Sequence, residues 1–447
     1  MKHRVENYYF DPDRMILYEA NVKQEDEEKI LSFFPVTSNY YQELKNLKNG
    51  IKEQKSMAGR GIRSAGIALT FNCGLRCNYC SQSSCEGMSE YLSISDVAAF
   101  IQDIIKKRII TSLVERSKPS LSMYFTGGGE PTYNWSLFTQ AVEEVERQCA
   151  ENGVQLTLAM TTNGMLNSVQ REFVIKHFDK VLLSYDGMPC MQNQNRRTAS
   201  NKSTNAVVCD TINAFVAGNI DVTIRSTVWQ HDFQYLHSMC EFINSVFKGI
   251  SAWDINPVTP AGRAEAVMRS KYGSLSSTDF LEAFLNVHKE NVPFRITTPL
   301  LSNSTTGFSC GGIGPTVSGL WLLPNRKITT CIDSSDIITQ VGCIIDGEVV
   351  YFDRFEDPLL EMGIKKYIEC KDCIAFCVCG SGCPLKHIRE EHAHTEMVPW
   401  ECSMQRKFWR YILEEIVGGN ESWGWKGVHP TDQLDLCADV LVLTQAN

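Results

Sequence analysis

From about residue 64, apolar and polar positions fall into two alternating rhythms. Short apolar runs at GIALTF (66–71), LSMYFTG (121–127), QLTLAMTT (155–162), KVLLSYD (180–186), VTIRSTV (222–228) and AWDINPV (252–258) have the length of strands. Between them lie stretches of helical period, such as SISDVAAFIQDIIKK and WSLFTQAVEEVERQCAENG, the second closing on a glycine suited to stop a helix. Six such units in series predict an α/β fold whose parallel sheet is open or curled toward a barrel. In folds of this kind the chemistry sits at the C-terminal ends of the strands.

The flanking regions read differently. NYYFDPDRMILYEA places two β-leaning runs about an Asp-Pro-Asp turn signal, which predicts a hairpin, and EDEEKILSFF and NYYQELKNLKNGIKEQK follow with helical patterning. From about 305 to 405 the alternation stops and cysteine and glycine accumulate, as in a domain organised by metal clusters more than by a large apolar core. The amphipathic run RKFWRYILEEIV then precedes a tail with no legible pattern. The expected division is an N-terminal module (1–62), a main α/β domain (63–304), a cysteine-rich domain (305–405) and a C-terminal helix and tail (406–447).

Composition narrows the function classes. A chain of 447 residues, 43% hydrophobic and 21% charged, has the make-up of a folded protein, and a net charge of −9 without long like-charge runs marks neither a nucleic-acid binder nor a membrane-surface binder. The opening MKHRVENYYF lacks the apolar stretch of a secretory signal, and no later apolar run approaches the ~20 residues of a membrane span. The expected location is the cytoplasm. There, eighteen cysteines read as metal ligands and buried thiols rather than disulfides.

The cysteines cluster where the chemistry is expected. FNCGLRCNYC follows the first strand and sets Cys73, Cys77 and Cys80 on one short loop; TGGGEP follows the second strand, TTNG the third and SYDG the fourth. Three thiolates can hold three irons of a [4Fe–4S] cube and leave the fourth without a protein ligand, open to a small molecule. Cys85 could close the site instead, giving an electron-transfer cluster or a zinc site. Gly127, Gly128 and Gly129 lack side chains and so allow close backbone approach to a ligand, or form a tight strand-to-helix turn.

The C-x3-C-x2-C loop followed by GGGEP resembles the radical S-adenosylmethionine (SAM) enzymes. The resemblance implies a partial (β/α)6 TIM-like barrel, with a [4Fe–4S] cluster on Cys73, Cys77 and Cys80, the aromatic Tyr79 before the last, and Cys85 a bystander. In that family the cofactor chelates the fourth iron and is cleaved by one electron to a 5′-deoxyadenosyl radical that abstracts hydrogen from substrate. By the same resemblance Gly127, Gly128, Gly129 and Glu130 meet the cofactor's methionine end, Ser184 and Arg196 its ribose or carboxylate, and Thr162 and Asn163 are further rim candidates. Read from the residues alone, Asp186 and Gly187 form a turn.

Cys370, Cys373, Cys379, Cys383 and Cys402 give C-x2-C-x5-C-x3-C-x18-C. With Cys310 and Cys331 ahead, this resembles the SPASM domain, which carries two auxiliary [4Fe–4S] clusters. The resemblance assigns Cys370, Cys373, Cys379 and Cys402 to one cluster and Cys310, Cys331 and Cys383 to the other. The latter's fourth ligand is left open, to Cys343 or to a substrate thiolate, and Cys377 is spare. A zinc ribbon needs only four of these ligands. Two departures stand out: Arg326 replaces the glycine usual five residues before Cys331, and Ile332 intervenes between Cys331 and Asp333, where sulfatase-maturating enzymes carry an aspartate base directly after that cysteine.

The resemblance therefore implies a maturase that acts on a ribosomally made precursor peptide and installs a thioether or carbon–carbon cross-link. Its expected partners are that precursor and an external one-electron reductant such as flavodoxin or ferredoxin, with no nucleic acid and no membrane. Residues 1–60 are compatible with a module that binds the precursor's leader as an added strand. Two competing expectations are an anaerobic sulfatase-maturating enzyme and a non-catalytic iron–sulfur electron carrier.

Overall fold

The computed structural model describes residues 2–33, 61–84, 87, 90–259, 261–264, 277–301, 316–332, 339–352, 358–393, 397–419, 425–428 and 440–445. Cys85, Cys310 and the predicted helix of 39–55 lie outside the described residues.

Each predicted strand of the main domain has a counterpart in one parallel run. In chain order these are β4 (Gly61–Ile67), β5 (Ser120–Phe125), β6 (Gln155–Thr162), β7 (Lys180–Ser184), β8 (Asp221–Val228) and β9 (Ala252–Pro257), with β10 (Arg295–Thr297) added at the edge. Consecutive strands are neighbours and parallel, as β-α units require. The first strand starts and stops earlier than its apolar run (66–71). Past Ile67 the backbone turns to other partners, Thr70 O accepting from Gly129 N at 2.9 Å and Asn72 O from Glu130 N at 2.8 Å. The predicted helices begin where capping residues stand. Ser93 and Asp96 form a capping box on Ile94–Glu115, and Asn134 caps Trp135–Glu151.

Alternate residues of this sheet face opposite ways. Phe125, Tyr185 and Trp253 point to the helix layer and are buried, Phe125 packing edge-on against Phe138 and Phe178 and Tyr185 against Phe247. The other face carries no helix among the described residues. It presents Trp321, Tyr124, Ser184 and Arg225 to the hollow of the curled sheet.

The structure modifies the expected division at both ends. β11 (Thr316–Leu322) pairs in parallel with β4, and β12 (Lys327–Thr329), β13 (Gln340–Ile345) and β14 (Glu348–Tyr351) continue the same eleven-stranded sheet. The sheet therefore runs past residue 304 into the cysteine-rich region. Trp321 lies so close to β4 that a Cβ at Gly66 would stand 2.0 Å from its ring. At the other boundary, one helix, Met397–Val417, runs through residues 405 and 406. At Arg326 the turn expected of glycine is kept. Its φ is 63°, a left-handed conformation costing on the order of 1 kcal/mol, and its guanidinium pairs with Asp96 at 3.1 Å.

The predicted N-terminal hairpin is β2 (Tyr8–Asp11) with β3 (Ile16–Glu19), its turn closed by Asp13 N and Arg14 N donating to Asp11 Oδ1. The tail, without pattern in sequence, completes its sheet. β16 (Val440–Gln445) pairs antiparallel with β3 and carries β15 (Trp425–Val428), in the order β1-β2-β3-β16-β15, β1 being His3–Val5. Removing residues 420–447 uncovers the β3 edge. Hydrogen exchange is expected to accelerate across residues 16–19 while β6 and β7 stay protected; unchanged exchange in β3 would count against this pairing.

Candidate functional site

The three-cysteine loop is held by its neighbours as well as by its own turn, in which Cys80 N donates to Cys77 O at 3.3 Å. Arg76 N donates to Arg197 O at 2.7 Å, Asn78 N to Asn195 O at 3.1 Å, and Arg263 reaches across to Cys77 O at 2.9 Å. Upstream, Asn72 is fully buried and its amide donates to Thr70 Oγ1 and Tyr91 Oη, each at 3.0 Å. These bonds fix where Cys73 leaves the sheet.

The glycines press directly on that lead-in. A Cβ at Gly129 would lie 1.9 Å from Asn72 O, and one at Gly128 (φ 64°) 2.8 Å from Thr70 O. Their first use is thus close packing on the cysteine loop, and the Gly129 and Glu130 N–H groups are already bonded to it. On the far side, Ile332 Cδ1 would stand 2.4 Å from a Cβ at Gly127, so the residue after Cys331 covers the glycine turn.

Glu130 stitches two rim motifs together. Its carboxylate accepts from Thr132 Oγ1, Thr162 Oγ1 and Asn163 N, each at 2.8 Å. Burial pushes its pKa up, and those donors only partly offset the effect. Asn163 in turn places its amide 3.7 Å from Cys73 Sγ. Glycine turn, TTNG and first thiol are therefore one hydrogen-bonded unit.

Asp186, read from sequence as a turn residue, is 1% exposed and central. It accepts from Arg196 Nε at 2.9 Å and from the Tyr79 hydroxyl, while the Arg196 guanidinium lies 5.2 Å from the Tyr79 ring centre. Burial, the largest single influence, would lower the Arg196 pKa; Asp186, Tyr79 and Cys77 together outweigh it, and the net direction is up. Arg196 thus reaches the site through Tyr79 and Asp186. Ser184, at the end of β7, is paired in register with Arg225.

Burial pushes the Cys73 thiol up to about 12, the Glu130 charge adding to it, and raises Cys77 as well. Such thiols ionise only with a cation to neutralise them, which suits iron ligation. In the C-terminal region Cys370, Cys373, Cys379 and Cys402 lie within electrostatic reach of one another. Burial first and then these neighbours push Cys370 to about 11 and Cys379 to about 12. Cys377 is 4% exposed and belongs to the core. Among the described residues no three His, Cys, Asp or Glu side chains converge on a single metal ion. In a cube each thiolate holds its own iron.

Gly380, Ser381 and Gly382 all adopt left-handed φ (57°, 70° and 75°) and bring Cys379 and Cys383 to one cavity of about 250 Å³, shared with Cys402. Within the described residues, Cys383 therefore stands beside Cys379 and Cys402. Cys331 lies at the end of β12, and Cys343 on β13 opposite Lys327.

Comparison with known proteins bears on the fold. The family described as a 4Fe-4S single cluster domain matches residues 57–209, which include the three-cysteine loop. A cysteine-type anaerobic sulfatase-maturating enzyme of Clostridium perfringens is 20% identical over 360 residues, 77% of this chain and 94% of the relative. The solved structure of native anSMEcpe with bound AdoMet superposes at a TM-score of 0.56, with 19% identity, over 80% of this chain and 98% of that one. With AdoMet and the Cp18Cys peptide bound, the same protein gives 0.57 at 17% identity, over 80% and 99%. The chain has the radical SAM fold with a SPASM-type extension. The rim unit of Cys73, the glycine turn, Glu130 and Asn163 lies at the strand ends of this sheet. Sequence reasoning missed Asp186, Arg225 and Asp254. Their signal was a charged residue inside an otherwise apolar strand or at its exit.

Proposed function

We propose that this chain is a radical SAM maturase that modifies a residue of a bound precursor peptide, forming a thioether or carbon–carbon cross-link. The observation that carries the reading is the inner face of the sheet, which carries no helix among the described residues and presents Ser184 and Arg225 as well as Trp321 and Tyr124. A peptide brings backbone polar groups that such a face can satisfy. Cys73, Cys77 and Cys80 would hold the cluster that binds SAM, with Tyr79, Gly127, Gly128, Gly129, Glu130, Thr162, Asn163, Ser184 and Arg196 around the cofactor. When bound, that cluster and SAM supply a 5′-deoxyadenosyl radical for hydrogen abstraction. Cys370, Cys373, Cys379 and Cys402 would hold one auxiliary cluster, and Cys310, Cys331 and Cys383 a second. The chain's own part is positional. Glu130 holds the TTNG turn to the glycines, and Asp186 holds Tyr79 and Arg196. Trp321 and Tyr124, rings 6.1 Å apart and tilted by 42°, offer apolar contacts on the substrate face. The electron would come from an external reductant of the flavodoxin or ferredoxin kind.

Ile332 favours this reading over formylglycine formation, since an apolar side chain on the glycine turn cannot serve as a base. The sulfatase-maturating reading keeps its own support in the relative matched over 94% of its length. Mass spectrometry after anaerobic incubation with SAM, reductant and candidate peptides separates the two. Loss of two hydrogens with every side chain retained is expected. Conversion of a sulfatase-peptide cysteine to an aldehyde, with precursors untouched, would reverse the assignment. No helix among the described residues is long and apolar enough to cross a membrane.

A further inference from the structure

Beyond Ser184, one charged row on the inner face carries residues with no part in the cofactor end. Ser184, Arg225, Asp254 and Thr297 are in-register neighbours on β7, β8, β9 and β10, so their side chains share a face. Trp321, Gly66 and Tyr124 are in register on the other side of the sheet and face the same way. The row starts at Ser184 and crosses β8 and β9 to the edge strand β10, away from β5 and β6.

Within it, Arg225 Nε donates to Asp254 Oδ2 at 2.6 Å, and Thr297 Oγ1 donates to Asp254 Oδ1 at 3.1 Å. The Asp254 side chain is 8% exposed and that of Arg225 37%. Both Asp254 oxygens are therefore used from within the sheet, one to hold the guanidinium and one to be held. The Arg225 Nη groups make no hydrogen bond among the described residues. A guanidinium fixed through Nε presents its remaining N–H donors as a planar fork, the geometry that binds a carboxylate by two parallel bonds. A pair serving stability alone gains little by leaving these donors half exposed at the mouth of a barrel.

We infer that Arg225 receives a carboxylate of the ligand bound on the inner face, with Asp254 and Thr297 as positioning residues. The inference rests on the proposed function for what occupies that face. Two sources share the chemistry: an acidic residue of the peptide substrate and the methionine carboxylate of the cofactor. The position of the row, beyond the strands that carry the glycine turn and TTNG, favours the peptide.

The test uses the reconstituted protein with SAM. Pools of randomised heptapeptides are equilibrated with it, and bound peptides are sequenced by mass spectrometry. SAM and decarboxylated SAM affinities are measured in parallel by equilibrium dialysis. Wild type is compared with Arg225→Gln and with Arg225→Gln/Asp254→Asn, the double variant leaving no unpaired buried charge should the single one fold poorly. Enrichment of Asp- or Glu-bearing peptides in wild type, falling about tenfold or more in the variants, supports the inference with the peptide as source. A comparable loss of SAM affinity, with decarboxylated SAM unaffected, supports it with the cofactor as source. No acidic enrichment in wild type together with unaltered SAM affinity in the variants overturns it. In that last case 5′-deoxyadenosine formation by wild type still stands, so the failure is distinct from failure of the proposed function.

Discussion

Replacing Cys73, Cys77 and Cys80 together by alanine is expected to abolish 5′-deoxyadenosine formation and to lower iron content by about four atoms per chain. The reason is local. These thiols share one loop whose backbone is pinned by Arg197, Asn195 and Arg263, and no other cysteine is held on it among the described residues. The loop's backbone anchors do not involve the thiols, Cys73 Sγ taking only long contacts from Leu75 N at 3.4 Å and Asn163 Nδ2 at 3.7 Å, so the fold should survive. Far-ultraviolet circular dichroism is expected to match wild type, and the remaining iron should report the C-terminal cysteines. Retained 5′-deoxyadenosine formation in the triple variant would move the cofactor site elsewhere. Loss of all iron would instead show that the C-terminal cysteines depend on the first cluster.

Asp186→Ala is expected to destabilise the chain by about 3–5 kcal/mol, the usual cost of leaving one member of a buried ion pair alone. Arg196 and Asp186 are 8% and 1% exposed, so solvent screens the loss poorly. The substitution also leaves the Tyr79 hydroxyl without its acceptor and removes the carboxylate facing Thr227 N at 3.3 Å. Urea unfolding followed by tryptophan fluorescence measures the effect. The double variant Asp186→Asn/Arg196→Gln is expected to recover much of it, because no charge is then stranded. A fall below about 1 kcal/mol in the single variant would mean that water reaches Arg196 and that the pair is not the post on which Tyr79 rests.

Much of this was legible along the chain, and the particular residues say why. The three-cysteine loop could be read because a cluster takes ligands from a few adjacent positions. The rim placement of TGGGEP, TTNG and SYDG could be read because each follows an apolar run in a β-α series, whose strand ends are chemically equivalent. The hairpin of β2 and β3 announced itself through Asp11, whose side chain closes the turn within three residues of its own position. These signals depend on neighbours in sequence.

What stayed hidden depends on neighbours in space. The glycines suggested close approach, but only packing reveals that Asn72 O is the atom approached. SYDG suggested a turn, whereas Asp186 accepts bonds from two side chains on different elements. Arg225 and Asp254 sit in strands read as plain sheet, and their pairing needs the β8–β9 register. The tail had no pattern of its own, since β16 becomes a strand by filling the edge of β3. Sequence by itself determined the β-α rhythm, the cysteine spacings and the rim on which the motifs fall, because covalent adjacency and strand periodicity act over a few residues. Only the tertiary structure decided which edges meet, which charges pair and what the glycines make room for. Those outcomes follow from packing and desolvation among segments that the chain order keeps apart.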